Sequence, residues 1–538
     1  MCSQVNRERA KVGTLRVSDI RGISWLSTKQ LAAIVMALAV IYPLSFWGMY
    51  SGDAEIHLVY AKNAASGHFF EFNPGEKSAG VTSPGYMLLL ATFFRVFRAQ
   101  SVPLAVKIVN ILTWYGVVLV VYILSRCMLA NNRLALAAAG VTAVLPGAVY
   151  NATTGMENGL FALVVLSWAW LVLRVKWFTE ARVEVGLELL LGVLLGAATW
   201  LRPEAVVVGA VAAGCRFWYA RGRRRELSVS VALFCLAFAV PLSVLLGFHV
   251  VQTGQWLPAS GRARVIMGQL DSYRFGPLAV NTKFLIRILV YLPLTLAWLA
   301  GAWRVLKGQD EAGTHGVAGF FVAVFISFFV LYSTVLGADS LARYTIFVMP
   351  MMVLVAIDGT RWVWQNWETL AARRIVGRGF AFAVAVAMLL IVFAGETIAR
   401  RRAQIGQAEL RRAMNAPSEV ESASDRLFNE LGRPSKRPIT IATQEVQIRY
   451  WLDDRFVVRS LDGRVDSMLL DFIHDGNVDH VGYLKARRVD FLLETRNYNR
   501  DPSKWSLDAL TALRTGETTV VDGLSFTRLS RPITFRLK

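Results

Sequence analysis

The sequence predicts a polytopic α-helical membrane protein with a small C-terminal α/β soluble domain, and three observations predict it. Of its 538 residues 55% are hydrophobic and only 18% charged, with a mean hydropathy of +0.44, which is too apolar for a soluble chain of this length. Apolar runs recur at the roughly 20 residues that a helix needs to cross a bilayer, and the Pro and Gly within them are tolerated there. After Ala394 the long runs stop and short alternating segments take over.

Charge sets the expected orientation. A net charge of +20 would suggest nucleic acid in a soluble protein, but here Lys and Arg are tested first against the positive-inside rule, and no nucleic-acid partner is expected. The tail, residues 1–30, carries Arg7, Arg9, Lys11, Arg16, Arg21 and Lys29 ahead of the apolar run 31–50. It is too long and too basic for a signal peptide, so the run is kept as a span with the N-terminus cytoplasmic. Further spans are expected at 103–126, 134–150, 158–173, 186–201, 204–219, 227–250, 284–303, 315–336, 344–363 and 376–396, about eleven in all. The connections assigned to the cytoplasm then hold Arg126 and Arg133, Arg174 and Lys176, the RGRRRE run 221–226, Arg304 and Lys307, and Arg373 and Arg374. Arg95, Arg98 and Arg400 to Arg402 run against the rule. The shorter run Tyr86 to Phe97 is read as an interfacial or re-entrant helix.

Residues 31–397 thus form a transmembrane domain, with 51–100 as its first extracytoplasmic loop, and 398–538 form an extracytoplasmic α/β domain. Within that last domain PITIAT (438–443), RFVVRSL and VDFLLE read as strands, and 403–414 and 422–431 as helices,. Cys2, Cys127, Cys215 and Cys235 all fall in the tail or in and beside spans, so no disulfide framework or cysteine metal site is implied.

Four extracytoplasmic segments combine polar groups with turn residues: GDAEIH (52–57), TGMENG (154–159), QTGQWLPASGRAR (252–264) and LGADSLARY (336–344). Any one of them is an ordinary solvated turn. Four on one side, each with charge near the bilayer edge where unpaired charge is costly, point to a shared site.

In order, the segments GDAEIHLVY, GHFFEFNPGE, GVTSPGY, TGMENGL, LRPE, TGQWLPASGRAR and GADSLARY, from Gly52 to about Pro350, resemble the motifs of the GT-C-fold membrane glycosyltransferases, which use polyprenyl-phosphate-linked sugars. The resemblance is to the bacterial terminal arabinofuranosyltransferase-like family in particular. VVRSLDG (457–463) is similar to a segment of the relatives' outer domain. The chain departs from the pattern at Gly52, where the family has the first acid of a pair, at Glu55 in place of an aromatic, at Ala259 in place of Asn, and at Arg264 in place of Lys. These departures leave the sugar and any metal dependence open.

The resemblance implies transfer of a sugar from a polyprenyl-phosphate donor to a glycan or glycolipid acceptor of the cell envelope, at a bacterial inner membrane. That chemistry needs a base for the acceptor hydroxyl and positive charge for the departing phosphate. Asp53 is the expected catalytic base, its competing role being a cap for the helix that follows. Arg343 is expected on the donor phosphate, assisted by Arg264 and Arg262, with an ion pair to Asp339 as the competing role. Glu55, His57, Glu157, Arg202, Glu204 and Asp339 are the expected substrate-binding residues; His57 also suits a hydrogen-bonded structural place, and Arg202 with Glu204 an internal pair. No cofactor is required by the motifs, and a divalent cation held by Glu55 stays open. Neither a nucleophile elbow nor a P-loop, GxGxxG or HExxH motif occurs in a suitable context. The alternatives are a transporter or flippase of lipid-linked sugars, which polar groups at one face instead of the midplane disfavour, and a non-catalytic glycan-binding assembly protein.

Overall fold

The structure, a computed structural model, describes residues 26–47, 51–180, 183–220, 224–259, 261–262, 291–308, 314–331, 346–367, 378–403, 420–431, 437–443, 446–461, 465–474, 477–494, 514–521 and 524–529. Helix α1 (Thr28–Leu44) opens on a capping box in which Ser27 and Gln30 bond each other's backbone N–H,. Pro43 stands in its last turn, and the helix stops short of the Tyr50 expected from hydropathy alone. The first loop folds as α2 (Gly52–Ala65), a hairpin of β1 (Glu71–Asn73) and β2 (Glu76–Lys77), and α3 (Pro84–Val96), the last being the short apolar helix expected there.

The bundle continues with α4 (Val102–Leu129), α5 (Asn132–Ala143), α6 (Pro146–Thr153), α7 (Asn158–Arg174), α8 (Val185–Ala197), α9 (Ala205–Tyr219), α10 (Arg224–Thr253), α11 (Leu292–Leu306), α12 (His315–Val330), α13 (Val348–Gln365) and α14 (Arg378–Ala403). The expected single span 134–150 is instead the pair α5 and α6, bent by 60°. Pro146 is the cause: it forbids a helical Leu145 and starts a new helix at its own position,. By length and composition three described helices can cross a membrane, or four if the bent pair is one span.

Glycine lets backbones meet inside the bundle. Gly192 and Gly196 of α8 lie against the backbone of Phe234 and Phe238 on α10, while Gly301 of α11 and Gly359 of α13 approach each other's helices so closely that a Cβ on either would strike a carbonyl oxygen,. A buried knot ties α8 to α9 and α10: Glu188 accepts from Trp177 Nε1 (2.5 Å) and pairs with Arg216 (3.3 Å), whose Nε donates to Ser230 (2.9 Å). Three of the basic residues that run against the charge rule have structural partners. Arg400 pairs with Glu396, Arg401 donates to Ser45 O at 3.0 and 3.1 Å, and Arg95 donates to Ala65 O at 3.3 Å.

The remaining described chain is an α/β assembly of α15 (Val420–Leu431), β3 (Ile439–Thr443), β4 (Phe456–Ser460), the small hairpin β5 (Ile473–His474) and β6 (Asn477–Val478), α16 (His480–Ala486), β7 (Phe491–Glu494), β8 (Arg514–Val521) and β9 (Leu524–Leu529). Its main sheet runs β4-β3-β7-β9-β8, with β3 parallel to both neighbours and the last two pairs antiparallel. Every residue of β3 is buried, as expected where both faces of a sheet are covered,. One cover is the first loop itself: Leu58, Tyr60, Phe70 and Phe72 share an apolar cluster with Ile439, Ile441, Phe456 and Val458.

Candidate active site

Ser51 is extended and precedes Gly52 as the N-cap of α2, without a side-chain cap bond. Asp53 therefore lies inside the first turn and is not the cap considered for it from sequence; together with Glu55 it places negative charge at the positive end of the helix,. The Ser51 N–H donates to Thr154 O (2.9 Å), joining the start of α2 to the end of α6. Asp53 is half-buried, whereas Glu55 and His57 are both buried to 4% exposure. At i and i+4, Asp53 and His57 occupy one face of α2.

That face meets the TGMENG turn. His57 Nε2 is 3.4 Å from Glu157 Oε2, and its ring stands edge-on to Tyr86, whose hydroxyl donates to Gly155 O (2.9 Å). Among the described residues, Nδ1 of His57 is buried without a hydrogen-bond partner. Glu157 is gripped by Arg202 Nη1 at 2.6 Å; the same guanidinium bonds Asn158 and, across the LRPE turn, Glu204 at 2.5 and 3.2 Å. Burial alone would raise the Glu157 carboxyl, but the Arg202 charge and His57 outweigh it and hold the group at about 2,. Arg202 and Glu204 are thus an internal pair, joined by Glu157. Gly85, in the GVTSPGY segment, lies so close to Trp200 that a Cβ would come within 2.9 Å of it.

Two polar residues that the sequence reading passed over hold this arrangement. Lys107 of α4, only 2% exposed, donates to Thr153 O (2.7 Å) and Phe46 O (3.2 Å), carbonyls at the ends of α6 and α1, where helix dipoles favour a cation,. One turn on, Asn110 accepts from Gly155 N–H (2.9 Å) and donates to Met156 O (3.2 Å). Gly155 sits at φ +89°, a region that glycine adopts without strain,. The available signal was a lysine inside an apolar run, which is costly in a membrane and marks function or a specific partner.

The third polar segment arrives from α10. His249 Nδ1 bonds Gln255 O (2.7 Å), and the Ala259 N–H donates to Ala79 O (2.7 Å) in the first loop. Arg262 is exposed, while Arg264, Asp339 and Arg343 lie outside the described residues. Glu55 lies near Tyr450, whose phenol is pushed up by burial and then by the Glu55 carboxylate. Among the described residues no three His, Cys, Asp or Glu side chains come together as a metal site. A cavity of about 80 Å³, lined by Leu129, Arg304, Thr314, Asp358 and Arg361, lies at the opposite end of α4 and is separate from this cluster.

No family model and no curated protein matches the sequence. Solved structures do. The chain follows ArnT from Cupriavidus metallidurans bound to undecaprenyl phosphate with a TM-score of 0.57 at 13% identity, over 93% of this chain and 97% of that one. It follows the apo state of the same protein with a TM-score of 0.55 at 14% identity, over 92% and 97%. The oligosaccharyltransferase of Archaeoglobus fulgidus gives 0.53 at 13% identity, over 92% of this chain and 73% of that one. At such identities the likeness is one of backbone, and it shows that the chain has the GT-C fold of these membrane proteins.

Proposed function

We propose that the protein is a membrane glycosyltransferase of GT-C type that transfers a sugar from a polyprenyl-phosphate donor to a cell-envelope glycan or lipid. In this reading it crosses a bacterial inner membrane about eleven times and works on the extracytoplasmic face, with the C-terminal α/β domain on that side. The observation that carries the reading is the placing of Asp53: a half-buried carboxylate on the first turn of the helix after α1, in a fold otherwise seen holding undecaprenyl phosphate. The contacts between the first loop and the C-terminal sheet support a common side for both. The order of motifs from Gly52 to Pro350 supports kinship with arabinofuranosyltransferase-like enzymes.

Asp53 removes the proton of the acceptor hydroxyl as its oxygen bonds the anomeric carbon, and the carbon–oxygen bond to the phosphate breaks with its electron pair leaving on the polyprenyl phosphate. A single displacement of this kind inverts the anomeric centre. Glu157 is a poor base for the step, since a carboxyl held at about 2 by Arg202 has little affinity for a proton,; together with His57 it offers fixed acceptors to sugar hydroxyls. Arg343, with Arg262 and Arg264, supplies guanidinium donors to the phosphate, a geometry suited to paired hydrogen bonds. Transfer of radiolabelled sugar from polyprenyl-phosphate donors to an envelope extract by the purified protein in detergent tests the proposal. Turnover by wild type and none by Asp53→Asn is expected; equal turnover by both would move the base elsewhere.

A further inference from the structure

We propose that Asn73 is a positioning residue through which the C-terminal sheet sets the place of α2 and so of Asp53; the inference rests on the catalytic reading above. Strand β4 is the edge of its sheet, with β3 on one side, and an edge strand leaves backbone N–H and C=O groups without partners. At Val458 both groups are met by one side chain: Asn73 Nδ2 donates to Val458 O (2.9 Å) and Asn73 Oδ1 accepts from Val458 N–H (3.0 Å). A carboxamide carries the same donor and acceptor as a peptide group, so Asn73 acts here as one residue of an additional strand. It is 5% exposed, and a buried backbone group that loses its hydrogen-bond partner is destabilising.

Two further ties flank this one. Arg459 forks onto Glu76, with Nη2 to Oε1 at 2.7 Å, and Ser78 Oγ donates to Val465 O at 2.5 Å. From the hairpin the connection passes directly to α2. Asn63 Nδ2 donates to Glu71 O (2.8 Å) and Phe72 O (3.3 Å), and the Tyr60 hydroxyl shares a 2.6 Å hydrogen bond with Ser78 Oγ. Tyr60 and Asn63 lie one turn apart on the helix whose first turn holds Asp53. Helix α2 is thus held at its start by the TGMENG turn and along its second half by the C-terminal sheet. The Glu76 side chain is 43% exposed, so its ion pair is partly screened by solvent, whereas the Asn73 pair is buried; the buried pair is the dominant tie.

A general base must sit within hydrogen-bond reach of the proton it takes, and misplacement by about 1 Å costs on the order of a hundredfold in rate. Single-turnover transfer from a labelled polyprenyl-phosphate donor separates positioning from folding, because a folding defect lowers the amplitude and misplacement lowers the rate constant. For Asn73→Ala the rate constant is expected to fall by about tenfold or more, with donor affinity kept and faster hydrogen exchange over residues 52–60. Glu76→Gln, which keeps volume, gives a smaller loss of the same kind and carries the test should Asn73→Ala fail to fold. Wild-type rate constants in both variants, or a loss confined to amplitude, overturn the proposal. If wild type itself transfers no sugar, the functional reading fails separately; unchanged exchange over 52–60 in the variants would then sink the clamp on its own terms.

Discussion

Replacing Arg202 by methionine keeps a long apolar stem and removes the one guanidinium shared by Glu157 and Glu204. Glu157 is 2% exposed, and its carboxyl sits at about 2 instead of the ordinary 4.5. At 1.36 kcal/mol per tenfold change this depression is worth about 3 kcal/mol to the folded state. Independently, breaking a buried ion pair from one side costs about 3–5 kcal/mol, because the other charge is stranded. A depressed carboxyl contributes stability that is complete above its unfolded value and lost as pH falls through the folded one. The contribution is therefore full at pH 7 and disappears between pH 4.5 and 2,. Thermal unfolding in detergent at pH 7, followed by tryptophan fluorescence at fixed scan rate, should show Arg202→Met melting several degrees below wild type. Adding Glu157→Gln should restore part of the loss by removing the stranded charge, with Glu204 accounting for the rest. A single variant as stable as wild type, or a double variant no better than the single, would refute the reasoning.

Two other outcomes follow from the sequence and the fold together. Ala486, exposed on α16, is a suitable labelling site: in a cysteine-free background Ala486→Cys should react with a membrane-impermeant thiol reagent once the outer membrane alone is permeabilised, and labelling that needed a breached inner membrane would invert the topology. Arg343→Lys should raise the KM for the lipid donor and lower kcat, since charge builds on the leaving oxygen in the transition state; a mild Arg343→Lys with Asp339→Asn as damaging as Arg343→Ala would reduce Arg343 to a loop staple.

Much of the bundle was legible because hydropathy is a local property. The runs that became α4 and α10 carry it over about thirty residues, and the described helices overlie the other expected spans. The clearest error is equally local: Pro146 breaks a helix that an apolar average runs through. A meeting of GDAEIH with TGMENG is expected from the sequence only through a shared membrane side, whereas in the structure His57 lies 3.4 Å from Glu157. The partners within that meeting were out of reach, since Arg202 finds Glu157 from 45 positions away and no periodicity encodes such a pair. Lys107 was visible, but it was averaged into the apolar residues on either side. The docking of β4 on Asn73 spans 385 positions and is written in a side-chain amide that, as a string, reads only as part of an Asn-Pro-Gly turn.

The central claim is that Asp53 drives consumption of a polyprenyl-phosphate sugar. The most direct measurement follows both products in one vesicle preparation: the protein is reconstituted with a defined polyprenyl-phosphate sugar, an envelope acceptor is added, and released polyprenyl phosphate and glycosylated acceptor are quantified by mass spectrometry. The account predicts equimolar release and transfer with wild type, dependent on acceptor, and neither with Asp53→Asn despite normal reconstitution. Intact donor carried across the bilayer by wild type, with no phosphate released, would contradict it and make the protein a transporter of lipid-linked sugar.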